Sequence, residues 1–275
     1  MVHVAAGENL DLPEMTASLS GRAVAHSFDG LTVFDGFDFE VAGGETVALV
    51  GPSGCGKSTL LELIAGLGDP DRGRIEVDGR TAGRLLHCAL MPQTDCLLPW
   101  YSAIDNAALA LTNRGAGRRE ARAEAAPLFA RFGLAGFEQS NPAELSGGMR
   151  QRVAFLRTLL SGKDVLLLDE PFASLDAITR AELQEWLKPS LSDRGHTVVL
   201  VTHDVEEALY LADRVAVLSG RPGRVLELVD SPAEGTANRA AQVTAPAFTA
   251  LRERILDLLR SQPAGARPGG TQGQR

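Results

Sequence analysis

The chain has 275 residues, 44% of them hydrophobic and 23% charged, with 27 basic against 35 acidic side chains and a net charge of −8. That composition allows one large α/β domain with a real core and a small inserted subdomain, and it argues against wholesale disorder and against a protein that coats nucleic acid. No apolar run approaches the roughly 18 residues that span a bilayer. Met1–Leu10 lacks the basic start and apolar stretch of a secretory signal, so the expectation is a protein that stays in the cytoplasm and reaches a membrane only through a partner.

Residues 1–17 are weakly patterned and read as a loose leader. From Gly21 to Gly51 the sequence is β-rich, with short strands expected at Ala23–His26, Leu31–Phe34 and Phe37–Val41 between Asp/Gly turns. Glu45–Val50 is a nearly continuous apolar run that suits a buried parallel strand. Thr59–Leu67 follows as a helix with Leu60, Leu61, Leu63 and Ile64 on one side. Between Pro99 and Arg157 the chain turns Ala-, Leu- and Arg-rich with helical spacing, which marks a helical insertion over about 95–160. β character returns at Asp164–Asp169 and Thr197–Thr202, with a helix expected from Ala177 to Leu187. After Val215–Leu218 come a hairpin-like Gly220–Gly223 and a strand at Arg224–Asp230. Ala247–Ser261 carries Phe248, Leu251, Ile255, Leu258 and Leu259 on one stripe of a helix, and residues 263–275 are Gly/Pro/Gln-rich, the composition of a disordered tail. Strands alternating with helices around a glycine loop predict a mostly parallel, helix-covered sheet. Cys55, Cys88 and Cys96 show no tight pairing and are expected as reduced thiols in or near the core.

Gly51-Pro52-Ser53-Gly54-Cys55-Gly56-Lys57-Ser58 fits G-x-x-x-x-G-K-[ST] throughout. Glycines let backbone N–H groups turn onto phosphate oxygens, and the following helix adds its positive end. Lys57 is placed to reach the β- and γ-phosphates, Ser58 to offer its hydroxyl to Mg²⁺, and Thr59 to touch the α-phosphate. Val165-Leu166-Leu167-Leu168-Asp169-Glu170 sets two acids at a buried strand's end, with Asp169 suited to Mg²⁺ and Glu170 to act as general base on water. Two acids there could also cap the strand. Leu145-Ser146-Gly147-Gly148-Met149-Arg150-Gln151 opens a helix with Ser146 as N-cap and two glycines that leave adjacent amides unshielded, a second anion-binding end.

A phosphate loop followed by Leu145–Gln151 resembles the ATP-binding subunits of ABC transporters, over about Ala17 to Asp230. The resemblance implies an α/β P-loop NTPase core with a mostly parallel sheet, an antiparallel β subdomain and an inserted α-helical subdomain, all within 18–262. It implies ATP and Mg²⁺ as ligands, and a second copy of the chain whose Ser146, Gly147, Gly148 and Gln151 complete each nucleotide site. It assigns Gln93 to Mg²⁺ or water, Asp176 in Ser174-Leu175-Asp176 to communication across the dimer, and His203 to the γ-phosphate. On spacing alone Gln93 is an ordinary loop residue, Ser174–Asp176 a helix cap and His203 a structural histidine. Phe28 aligns with the aromatic that stacks on adenine, and a core phenylalanine is the alternative reading.

Gln93-x-x-x-Leu97-Leu98-Pro99-Trp100 resembles the subgroup serving nitrate, sulfonate, taurine and thiamine-precursor uptake. That implies transmembrane permease subunits docking near Cys96–Tyr101, a solute-binding protein, and a peripheral position on the cytoplasmic face of the membrane. Trp100 packed back into the helical insertion is the other reading of the same stretch. An exporter subunit is the nearest rival. A soluble ABC ATPase acting on DNA or ribosomes is disfavoured by the single nucleotide domain and the lack of coiled-coil heptads, zinc-spaced cysteines or a basic extension. A small-molecule kinase leaves Leu145–Arg152 unexplained.

Overall fold

Three strands of five residues, β3 (Thr46–Val50), β6 (Val165–Asp169) and β7 (Thr197–Val201), are buried at every position, the pattern of strands covered on both faces. They form the middle of a six-stranded sheet in the order β5-β6-β7-β3-β8-β9, where β5 is Cys88–Met91, β8 Arg214–Leu218 and β9 Val225–Asp230. Every pairing is parallel except the last, β8 with β9. This computed structural model describes residues 16–193, 195–232 and 238–262. All but Thr16 and Ala17 of the expected leader, and the whole tail expected over 263–275, lie outside those residues.

Because successive side chains on a strand point to opposite faces, the sheet feeds two cores. Val47, Leu49, Leu167, Val199 and Val201 point to one, where they meet α1 (Lys57–Ala65) and a second sheet. Ala48, Val50, Leu166, Leu168 and Leu200 point to the other, shared with α6 (Gly147–Leu159), α7 (Ala177–Asp193), α8 (Val205–Leu211) and α10 (Pro246–Arg260). Phe248 and Ile255 of α10 are fully buried there, while Leu251, Leu258 and Leu259 pack at its margin. The short α9 (Arg239–Thr244) precedes α10.

The second sheet is antiparallel, in the order β2-β1-β4, with β1 Leu19–Phe28, β2 Leu31–Val41 and β4 Arg72–Val77. Here the three short strands expected from sequence merge into two long ones. Asp35-Gly36 does not turn the chain. It sits inside β2 with Gly36 at φ +72°, opposite register shifts in β1, so the Asp-Gly signal marks a bulge.

Between β5 and β6 lies the helical block: α3 (Ala103–Ala107), α4 (Leu109–Asn113), α5 (Arg118–Arg131) and α6, with α2 (Arg84–His87) just before β5. Asp105 joins α3 to α5. Its carboxylate accepts from Nε and Nη2 of both Arg122 (2.7 and 2.7 Å) and Arg118 (3.1 and 2.6 Å), and these bonds hold the carboxyl well below the usual carboxylate range. Cys55 and Cys88 are buried, but Cys96 is exposed. It stands at φ +45° with its Sγ beside Thr94 Oγ1, so the turn points it out of the core, contrary to expectation.

Candidate active site at the sheet edge

Parallel strands deliver their C-terminal ends to one edge of the sheet, where ligands of such sheets bind. The loop 51–56 leaves β3, Glu170 follows β6, Thr202 and His203 follow β7, and Gln93 follows β5, the neighbour of β6.

The glycine loop is packed too closely for side chains. A Cβ on Gly56, at φ +110°, would lie 2.4 Å from Val33 Cγ1 and 2.9 Å from Phe34 Cζ, and one on Gly51 3.0 Å from Leu218 Cβ. β2 and β8 therefore clamp the loop from two sides. Helix α1 begins at Gly56 with no side-chain cap and no acid in its first turn, which leaves its first amides for a ligand. Lys57 is buried, and its Nζ donates to Gly51 O (2.9 Å) and Pro52 O (3.1 Å), with Cys55 Sγ at 3.9 Å. No carboxylate pairs with it among the described residues. Ser53, Gly54 and Ser58 are exposed, and Thr59 is half-buried. Uncapped amides and a cation held by loop carbonyls and a thiol, without a carboxylate among the described residues, are a fit for a polyphosphate.

Burial pushes the Asp169 carboxyl above its ordinary range, opposed by a hydrogen bond from Ser58 and by the Lys57 charge. A hydroxyl and a carboxylate in contact are hard oxygen donors, which suits Mg²⁺. Next to them, Glu170 holds φ +49°, its N–H bonded to Val201 O (2.8 Å). That left-handed backbone is unfavourable for a residue with a side chain and collects at functional sites. It brings Glu170 Oε2 to 3.2 Å from Gln93 Nε2 and 3.5 Å from His203 Nδ1. Gln93, Glu170 and His203 thus form one polar cluster, built from three separate loops.

Ser146 caps α6 through Met149 N (3.3 Å), and Ser146 and Gly147 are exposed. A Cβ on Gly148 would press on Ser174 O at 3.2 Å and Leu175 Cδ2 at 3.3 Å, so Gly148 seats α6 against the segment before Asp176. Asp176 itself caps α7, accepting from Ile178 N and Thr179 N. Gln151 is turned inward, 5% exposed. Phe28 is 53% exposed at the β1–β2 turn, edge-on to His26, which removes the core-packing alternative.

Trp100 is 72% exposed and does not pack back into the helical block. The loop that presents it is firmly held. Asn106, fully buried, accepts from Leu98 N (2.8 Å) and donates to Leu98 O, Tyr101 O and Ser102 O. Arg157 of α6 donates to Asp95 O and Cys96 O (both 2.8 Å), and Arg150 pairs with Asp95 at 2.8 Å.

Sequence reasoning missed Asn106, Arg150 and Arg157, whose partners are backbone or distant in the chain, and also Arg221. A Cβ on Gly54 would come within 3.1 Å of the Arg221 guanidinium, a second cation beside the loop. Glu207, one turn into α8, was missed as well. It accepts from Gln184 Nε2 (3.1 Å), itself held by Arg239 Nε (3.1 Å). Burial first, then the Asp204 charge, raises its pKa from 4.5 to about 7, against the Thr202 hydroxyl, the Arg180 charge and the Gln184 amide. Between these two values the unfolded chain releases its proton before the folded one does, so stability falls as pH rises through that window. Glu207→Gln, which cannot ionise, is expected to equal the parent near pH 4.5 and to be the more stable protein at pH 8 by on the order of 2 kcal/mol. Urea denaturation at pH 5 and pH 8 checks this.

A phosphate loop on a mostly parallel sheet, with acids and a histidine at the same edge, defines a P-loop nucleotide-binding ATPase fold. Residues 34–173 match the ABC transporter family. The chain is 50% identical over 196 residues to an aliphatic sulfonates import ATP-binding protein of Rhodococcus jostii, covering 71% of this chain and 77% of that one. It is 39% identical over 250 residues to a taurine import ATP-binding protein of Pseudomonas aeruginosa, covering 87% and 94%. Among solved structures, a dimeric post-hydrolysis state of an ATP-binding cassette bound to ADP and Pi superposes with a TM-score of 0.71 at 28% identity, covering 78% of this chain and all of that one. The chain belongs to the ABC transporter family, and with that come nucleotide binding and ATPase activity.

Proposed function

We propose that the chain is the ATP-hydrolysing subunit that energises a multi-subunit importer of a small solute, of the nitrate, sulfonate, taurine or thiamine-precursor kind. The observation that carries this reading is the cluster of Gln93, Glu170 and His203 at the edge that also holds Lys57 and Asp169. The relatives named as sulfonate and taurine import ATP-binding proteins support the choice of importer.

ATP lies with its phosphates on the amides of residues 53–59 and its adenine on Phe28. Lys57 exchanges its two loop carbonyls for β- and γ-phosphate oxygens. Ser58, Asp169 and Gln93 would hold Mg²⁺, which when bound would neutralise charge on those phosphates. Glu170 accepts a proton from the attacking water, and His203 and Gln93 hold that water and the γ-phosphate in line. A second copy lays its Ser146–Gly148 helix start, with Gln151 behind it, on the γ-phosphate, while Asp176 links the two sites. ATP then bridges two copies, and cleavage releases them.

Opening and closing pass to transmembrane permease subunits through the Asp95–Tyr101 loop, which Arg150 and Arg157 fasten to the helix that starts at Ser146. A solute-binding protein supplies the cargo, and the chain works as a peripheral protein on the cytoplasmic face of the membrane. No described helix is long and apolar enough to cross it.

A mild-detergent pull-down of the tagged chain from its own cells, read by mass spectrometry, tests the proposal. A multi-spanning membrane protein in near-equal amount supports it, and recovery of only ribosomal or DNA-repair proteins overturns it. Trp100→Ala is expected to keep basal ATP hydrolysis within about twofold while weakening capture of that membrane protein by about 30-fold, the loss of a central aromatic anchor. Quantifying ATPase rate and co-purified partner side by side decides it.

A further inference from the structure

Arg180 stands one turn into α7, and α7 starts at the Asp176 cap. Its side chain reaches back to two groups on different loops. Nη2 donates to Leu175 O at 2.9 Å, and Nη1 lies 3.7 Å from Asp204 Oδ2. Leu175 immediately precedes Asp176, and Asp204 immediately follows His203. One guanidinium therefore ties the segment assigned to contact between copies to the segment assigned to the γ-phosphate.

Apart from attraction to the Asp204 and Glu207 carboxyls, the local energetics run against this placement. A cation near a helix N-terminus opposes the helix dipole, and Arg180 sits by two such ends, its own and that of α8. Asp204 caps α8 by accepting from Glu206 N (2.9 Å) and Glu207 N (3.2 Å), so Arg180 neutralises a cap that already suits its helix. Arg180 Nε is buried without a hydrogen-bond partner, a further cost. A side chain kept in place against its local preferences points to a role beyond folding. Arginine also suits the geometry, because its planar fork serves two acceptors at once and an ammonium group serves them poorly.

We propose that Arg180 is a positioning residue that locks the His203 segment to the Asp176 segment, so that nucleotide state at the one is passed to the surface presented by the other. The proposal rests on the function proposed above. Arg180 touches neither nucleotide nor water in this scheme and acts through its contacts with Leu175 and Asp204.

The test uses the full chain and steady-state ATP hydrolysis, with thermal melting of every variant. Arg180→Gln is expected to lower kcat at least tenfold while KM for ATP moves less than twofold, because the nucleotide's own ligands are untouched. Arg180→Lys is expected to fall between parent and Gln, with KM again unchanged. Asp204→Asn is expected to lower kcat by a similar factor, and the Arg180→Gln/Asp204→Asn pair to be no worse than the poorer single variant within twofold, as for two parts of one clasp. Parent-like kcat in Arg180→Gln, a loss carried by KM, or factors that multiply in the double variant would each overturn the proposal. Should Arg180→Gln fail to melt cooperatively, Arg180→Lys takes its place, and parent-like kcat there overturns it as well. A parent chain without ATPase activity would sink the proposed function instead, so the two failures are separable.

Discussion

Replacing Glu170 by Gln is expected to cut ATP turnover by about 10²–10⁴-fold, the contribution of a positioned general base. ATP affinity should stay within a few-fold of the parent. Gln keeps the size of the side chain and the left-handed backbone at φ +49° is no worse for it, so the fold has no reason to respond. What disappears is the carboxylate that takes the proton from water. Gln93 Nε2 and His203 Nδ1, now 3.2 and 3.5 Å from Glu170 Oε2, retain an oxygen to face, so the cluster persists without its base.

The loss should also show in the state of assembly. If ATP bridges two copies and cleavage separates them, a variant that binds without cleaving accumulates as the bridged dimer. Size-exclusion chromatography with light scattering, with and without ATP and Mg²⁺, is expected to find an ATP-dependent dimer of Glu170→Gln where the parent is mostly monomer. Phosphate release measured on the same samples completes the test. Parent-like turnover would move the base elsewhere, and a variant that neither hydrolyses nor dimerises would remove ATP as the bridge.

Some of this site is legible in sequence because its chemistry is contiguous. Gly51–Ser58 and Val165–Glu170 each pair a strand with its ligand groups in one short run, and the structure puts both at one sheet edge. The cluster of Gln93, Glu170 and His203 is not legible that way. Three loops bring it together, and only the parallel order β5-β6-β7-β3 explains the meeting; the strand-end motif gave Glu170, but the resemblance, not spacing, supplied Gln93 and His203. Arg180 carried a faint signal of its own, a cation in the first turn of an expected helix, where an acid is favoured. Asn106 carried none, since its four bonds all run to loop backbone.

The fold was misread where a local signal and a long-range one disagree. Asp35-Gly36 has turn chemistry, yet pairing with β1 runs through it on both sides, and a ladder outweighs a turn that it can absorb as a bulge. β4 and β5 escaped notice for other reasons. Arg72–Val77 is half charged and half exposed, and Cys88–Met91 is only four residues long. Neither shows the buried run that announces β3, β6 and β7. Phe28 kept two readings in sequence, adenine stacking by resemblance and core packing because aromatics usually pack, and its exposure at the β1–β2 turn leaves the first.

Lys57→Met is expected to lower ATP affinity by about 30-fold or more, which is the loss of one or two charge-assisted hydrogen bonds at about 1.5–3 kcal/mol each. Met preserves the unbranched stem that packs under the loop, so the substitution removes charge with little change in volume. In the free protein the ammonium is buried against Gly51 O and Pro52 O. Removing it leaves two loop carbonyls without that donor, but it also ends the burial of a cation with no carboxylate paired to it among the described residues. These terms oppose each other, and the melting temperature is expected to stay within a few degrees of the parent. Binding has no such compensation, because the phosphates lose the buried cation of the loop while keeping the amides of α1 and the exposed Arg221 beside Gly54. Titration calorimetry with ATP, paired with thermal melting, separates the two effects. Retained affinity would mean that the amides and Arg221 hold the phosphates without Lys57, and a collapse in melting temperature would make Lys57 a structural residue first.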